Sequence, residues 1–311
     1  MTGWNVSDIP DQSGRTAVVT GANSGLGYVT ARELARKGAR VVLACRSEVR
    51  GAEAEDRLVA EVPGADVEFV RLDLGQLDSV REFTAVYGRA YERLDLLVNN
   101  AGVMALPHGR TADGFETQFG VNHLGHFALT GLLMPSLLST PGARVVTLSS
   151  MVHAMANIDI DDLNSEHHPY RRWIAYARSK TANLLFTHEL ARRLAAVGSD
   201  VVAAAAHPGY ASTNLQTAGP KLEGRRGAER FMEIGNRVFA QSAEAGALPT
   251  LYAATAPGVL PDSFTGPSIA MWRGSPGRSW RAPWTLNDAA GERLWAASER
   301  LTGVTYDALK V

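Results

Sequence analysis

The chain has 311 residues, 45% hydrophobic and 20% charged, with a formal net charge of -1. This composition fits a folded globular chain with a sizeable core, and the near-neutral balance without a basic tract gives nucleic acid no electrostatic footing. A lone cysteine, Cys45, excludes an intrachain disulfide and a thiolate metal cage and points to a reducing, cytoplasmic setting.

Residues 1–14, MTGWNVSDIPDQSG, are polar and contain acids, unlike a secretion signal. No run of about 18 apolar residues occurs, so no membrane span is expected. From Arg15 to about His207, short β-branched runs at 16–20, 39–45, 67–74, 94–100, 144–150 and 200–208 alternate with longer helical patterns. That alternation predicts an α/β fold, a Rossmann-type doubly wound parallel sheet whose ligands sit beyond the carboxyl ends of the strands. After Pro208 the rhythm changes. Residues 211–242 hold no strand pattern and one amphipathic helical pattern with Phe231, Ile234 and Phe239, which reads as a substrate lid after strand six or as a surface decoration. Residues 244–255 predict another helix and 264–270 a seventh strand. The stretch 271–311, with Trp272, Trp280, Trp284 and Trp295 among prolines and glycines, predicts an irregular extension tied to the core by its indoles. No repeat or linker interrupts the chain, so residues 1–311 read as a single domain.

The turn after the first strand, TGANSGLG, places Gly21, Gly25 and Gly27 before a helix. Such a loop brings a diphosphate to backbone amides and the positive end of the helix dipole, although three glycines alone also suit an ordinary turn. At the end of the second strand a carboxylate would grip a free ribose hydroxyl. Here Cys45 is followed instead by Arg46 and Ser47. A guanidinium suits a 2′-phosphate, which favours NADP(H) over NAD(H), unless Arg46 is simply a solvated surface residue. Asp73, in LDL, either accepts from an adenine amino group or caps a helix.

Tyr176 and Lys180 share one face of a predicted helix that follows the fifth strand. An ammonium near a phenol would lower its pKa from about 10 and let it exchange protons near neutral pH; the alternative is an anchored tyrosine and a wet lysine. Ser149 and Ser150 end the fifth strand, where a hydroxyl can steady a substrate oxygen or cap a helix. Asn122 sits in a helical pattern where an amide is a poor former, either bonding its own backbone or holding a water that connects Lys180 to solvent. The histidine pairs His123/His126 and His167/His168 have no acid or cysteine at ligand spacing, so no metal site is expected.

Together, TGANSGLG, LDL, NNAG (Asn99 to Gly102), VNHLGHF, VVTLSS, YARSK and HPGYAST resemble the short-chain dehydrogenase/reductase family across residues 14 to 270. The resemblance implies a nicotinamide-dependent oxidoreductase acting on a small-molecule carbonyl or alcohol. It implies Tyr176 as general acid/base, Lys180 on the nicotinamide ribose, Ser150 steadying the reacting oxygen and Asn122 holding a relay water. It also implies cofactor contacts from Gly21, Asn23, Ser24, Gly25, Leu26, Gly27, Arg46, Ser47, Asp73, Leu74, Asn100, Ala101, Gly102, Pro208, Gly209, Ala211 and Thr213. One departure stands out: 26 positions separate Ser150 from Tyr176, more than the family usually has, and the extra stretch NIDIDDLNSEHHPYRR reads as a polar surface excursion. With ACRS and KTANLLFTHELARRL, it resembles the branch of retinol-dehydrogenase-like enzymes, which is also similar to protochlorophyllide reductases. Val103, Met104, Met151, Met155, Tyr210 and Phe231 would give the pocket an apolar rim. The family implies a homodimer, a homotetramer or a monomer. A second reading, a catalytically silent NADP(H)-sensing or scaffold protein, keeps the same fold without turnover.

Overall fold

The computed structural model describes residues 3–209 and 242–310. Ala211, Thr213, Tyr210, Phe231 and all but the last position of the 211–242 span therefore lie outside the described residues. The strands are β1 (Thr16–Thr20), β2 (Arg40–Cys45), β3 (Val67–Arg71), β4 (Leu96–Asn99), β5 (Arg144–Leu148), β6 (Val202–Ala206), β7 (Phe264–Ile269) and β8 (Arg273–Arg278). The helices are α1 (Gly25–Arg36), α2 (Glu48–Glu61), α3 (Leu77–Ala90), α4 (Thr117–Phe119), α5 (Gly125–Leu138), α6 (Arg172–Ala196), α7 (Ala243–Thr255) and α8 (Asp288–Thr302).

The strands form one sheet in the order β3-β2-β1-β4-β5-β6-β7-β8, with only β7 and β8 antiparallel. The central strands are apolar on both faces because helices cover both. Val18, Val42, Leu97 and Val145 pack with Phe83 of α3, Phe127 of α5 and Phe186 of α6. Their neighbours Ala17, Val19, Leu96, Val98 and Val146 point the other way, onto Leu34 of α1, Leu58 of α2 and Leu251 of α7. Strand order reverses between β1 and β4. That reversal opens a crevice at their carboxyl ends, and the conserved geometry of such sheets places ligands there.

Among the described residues the sheet has eight strands rather than the expected seven. In RGSPGR, Gly274, Pro276 and Gly277 are poor strand formers, and β8 exists only because it closes an antiparallel edge on β7, with Pro267 facing Pro276 beside a register break. The tail is not an irregular wrap either. After β8, the Asn287 side chain accepts from the Ala290 N–H at 2.9 Å to start α8, and Gly303, at φ 64°, ends it. Trp295 of α8 is 2% exposed and stacks on Phe186, with Tyr306 and Phe127 at ring centroid distances of 4.4 and 5.1 Å. One expected indole tie is thus in place, whereas Trp280 remains 53% exposed.

The excursion before α6 is polar in composition yet hides an apolar stripe. Ile158, Ile160 and Leu163 pack against a cluster containing Phe115, Phe119, Leu185 and Leu294. Two 3-10 turns, Met151–Met155 and Ile160–Asp162, carry the chain back onto α6. Among the described residues, no helix is long and apolar enough to cross a membrane.

Candidate active site

The cleft at the β1/β4 reversal has a volume of about 330 Å³ and is lined by the glycine loop, Arg46, Asn100 to Val103, Leu148, Ser149, Tyr176, Lys180 and Pro208. Its floor tolerates no added carbon. A Cβ on Gly27 would lie 2.5 Å from the Gly21 carbonyl oxygen and 2.4 Å from Asn100 Nδ2, and Gly21 has φ 67°. Asn100 Nδ2 donates to the Thr20 carbonyl at 2.7 Å, so it cannot yield without releasing the end of β1. Gly27→Ala is therefore expected to weaken nicotinamide dinucleotide binding at least tenfold, on the order of 1.4 kcal/mol, with the fold retained by circular dichroism. Unchanged affinity by fluorescence titration would show that the loop does not hold the diphosphate.

The Asn100–Gly102 loop is clasped to β1 by Thr20, whose Oγ1 accepts from the Asn100 and Ala101 N–H groups at 2.9 Å each. His126 backs this hydroxyl. Its Nε2 lies 2.9 Å from Thr20 Oγ1 and its Nδ1 lies 3.0 Å from the Asn122 carbonyl. Burial pushes His126 down to about 4, so the ring is neutral, with Nδ1–H donating and Nε2 accepting.

Asn122 lies in a π-helical turn, Gly120–Leu124, between α4 and α5. Its Oδ1 accepts from the Val103 N–H at 2.7 Å, while Nδ2 donates to the Val103 carbonyl and to Ser179 Oγ, both at 2.9 Å. The amide thus neither bonds its own backbone nor offers a free side-chain donor for a water. It pins Val103, at the cleft wall, to α6.

On α6, Tyr176 and Lys180 are both buried, and Lys180 Nζ stands 5.7 Å from the Tyr176 ring centroid. The ammonium donates to the Leu148 carbonyl at 3.1 Å. Burial pushes Lys180 down to about 8 and Tyr176 up to about 12, the latter pulled partly back by a hydrogen bond with the Ser150 hydroxyl. The expected fall in the phenol pKa is therefore not present in this state. Desolvation of the buried phenol is the largest cause, and the Ser150 hydroxyl offsets it only in part.

The serine pair divides its tasks. Ser149 Oγ donates to the Lys180 carbonyl at 2.8 Å and is committed to the helix. Ser150, partly exposed, accepts from the Val152 N–H at 3.2 Å and reaches Tyr176. Behind it, His153 Nδ1 lies 2.7 Å from the Ser150 carbonyl, and the Ala282 N–H donates to His153 Nε2 at 3.0 Å. His207, next to Pro208, pairs with Ser279 Oγ at 2.7 Å and accepts from the Gly209 N–H at 3.1 Å. The segment after β8 thereby braces both the serine turn and the Pro208–Gly209 turn.

Other expected residues stand away from the cleft lining. Asp73 Oδ1 accepts from the Gly75 N–H at 3.0 Å, an Asx turn, and Leu74 is buried in the core. Ser47 caps α2 through the Arg50 N–H at 3.4 Å. Two lining residues escaped the sequence expectations: Leu148, at the end of β5, and Arg50, in the first turn of α2. Met155, at 57% exposure, lies on the surface, whereas Val103 does line the cleft.

A family model described as short chain dehydrogenase matches residues 15–222. The chain belongs to the short-chain dehydrogenase family. Members of this dehydrogenase family use nicotinamide cofactors, and the glycine floor and clasped Asn100 loop fit that group. Among relatives, human retinol dehydrogenase 13 is 41% identical over 94% of this chain and 85% of its own length, and human retinol dehydrogenase 12 is 40% identical over 94% and 88%. A solved structure of an uncharacterized protein from Mycobacterium paratuberculosis is 44% identical, with a TM-score of 0.81 over 98% of this dehydrogenase and 99% of that chain.

Proposed function

We propose that this dehydrogenase is NADP(H)-dependent and interconverts an apolar alcohol and its carbonyl compound, with Tyr176 exchanging the proton. Tyr176 and Lys180 side by side in the lining of the glycine-floored cleft, with the Ser150 hydroxyl on Tyr176, carry this reading. Nicotinamide, when bound, supplies the carbon that gives or takes hydride.

The protein's own residues do the rest. Gly21, Gly25 and Gly27 leave room for the diphosphate at the α1 N-terminus. Ser150 donates to the substrate oxygen and holds it against Tyr176. At neutral pH burial keeps Tyr176 as the phenol, which suits it to protonate a carbonyl oxygen as the carbon gains hydride. The Lys180 ammonium then faces the phenolate that remains; in alcohol oxidation the proton runs back to Tyr176. Asn122 acts by fixing Val103 and Ser179 rather than through a side-chain-bound water. The retinol dehydrogenases among the relatives support a long apolar substrate of retinoid size.

The choice of NADP(H) rests on Arg46 and Arg50, both lining the cleft where no acid ends β2. Losing a charge-assisted contact costs about 1.5–3 kcal/mol, or roughly 10- to 100-fold in affinity. Arg46→Ala and Arg50→Ala are each expected to weaken NADPH by that factor and leave NADH unchanged. Equal losses for both cofactors, or a wild type that prefers NADH in fluorescence titration, would refute the assignment.

A further inference from the structure

Outside the cleft, the excursion between β5 and α6 gathers a donor set that no part of the proposed reaction uses. His167 and His168 have no acid at ligand spacing in the sequence, yet the fold brings two to one of them. A carboxylate oxygen of Asp159, one of Asp162 and a ring nitrogen of His168 lie within 4.8 Å of one another.

Two further observations mark this as more than an acidic cluster. Asp162 is 6% exposed, and its Oδ2 is buried without a hydrogen-bond partner among the described residues. A buried carboxylate oxygen left bare costs free energy unless something meets it. Asp162 also lines a cavity of about 490 Å³ together with Ser165, His168 and Arg178. Moreover, both carboxylates are held in place from outside. The Glu166 and His167 N–H groups donate to Asp162 Oδ1 at 2.6 and 3.3 Å, and Arg178 of α6 donates to Asp159 Oδ2 at 3.3 Å. Carboxylates oriented in this way by neighbouring donors are typical supports of a metal site.

From this geometry we infer that Asp159, Asp162 and His168 bind one divalent transition-metal ion, of the zinc or manganese type. Two oxygens and one imidazole suit such an ion better than magnesium or calcium, which take oxygen alone. Donors held at about 2.0–2.2 Å from one ion lie within about 4.4 Å of one another, and exposed His168 can swing to close the set while the buried Asp162 stays. All three ligands come from a ten-residue stretch, so closing the site orders little additional chain. The ion acts structurally: through Asp159, which accepts from Arg178, it ties the excursion to α6, and it takes no part in hydride or proton transfer.

The test is titration calorimetry of the full chain with zinc chloride, with magnesium chloride as comparison, alongside thermal melts. The expected result is one zinc ion per chain, no comparable magnesium binding and a zinc-dependent rise in Tm. His168→Ala should weaken zinc at least tenfold and abolish the rise in Tm, while His167→Ala should match wild type. Asp162→Asn should behave as His168→Ala if it folds, and exposed His168 carries the test if it does not. Absence of zinc binding by the wild type would overturn the assignment and leave a water as the partner of Asp162 Oδ2. So would wild-type affinity in His168→Ala, or an equal loss in His167→Ala.

Discussion

Tyr176→Phe is expected to lower kcat by roughly 10²–10⁴-fold, the range that a positioned proton donor contributes, while changing NADPH affinity less than threefold. The substitution removes one oxygen from a ring otherwise fixed by burial and by the edge of Trp173 at 6.2 Å, so the fold has no reason to change. It also removes an acid whose hydroxyl meets Ser150. The separation of kcat from cofactor affinity is the informative part, because Tyr176 lines the same cleft as the glycine loop. A variant with near-normal kcat would assign the proton to another group. A variant that binds NADPH poorly would make Tyr176 a structural wall.

Trp295→Ala is expected to destabilise the chain by about 3–5 kcal/mol in urea or guanidinium unfolding. The indole is among the largest fully buried side chains and touches Phe127, Phe186 and Tyr306, with the Arg193 guanidinium 4.5 Å from its centroid. Its Nε1 has no hydrogen-bond partner among the described residues, so the cost comes from the cavity and the lost ring contacts. A loss below about 1 kcal/mol would show that the indole does not tie the tail to the core.

The parts of the fold legible in sequence were those in which local pattern and tertiary setting agree. Runs such as TAVVT are buried on both faces as central parallel strands should be, and TGANSGLG makes its turn where the strand order reverses. Tyr176 and Lys180 share a helical face by simple periodicity. What stayed hidden depends on contacts between distant segments. Strand β8 needs β7 beside it before RGSPGR can extend, and the stripe of Ile158, Ile160 and Leu163 is diluted by the interspersed Asp159, Asp161 and Asp162.

The site divides in the same way. Spacing could not separate Ser149 from Ser150, because only the packed structure shows the Ser149 hydroxyl spent on the Lys180 carbonyl. Nor could it show Asn122 pinning Val103, or His153 and His207 joining the segment after β8 to the serine and proline turns. These groups are held in place by backbone and hydroxyl partners far away in the chain. Their positions carry no local motif.

The most direct test of the central claim is the loss of NADPH absorbance when the wild-type protein is given a panel of aldehydes and ketones running from short chains to retinoid size. Turnover that rises with the apolar length of the carbonyl, is faster with NADPH than with NADH, and vanishes in Tyr176→Phe is the expected result. Tight NADPH binding with no turnover across the whole panel would contradict it, and would make the cleft a nicotinamide sensor on a dehydrogenase fold.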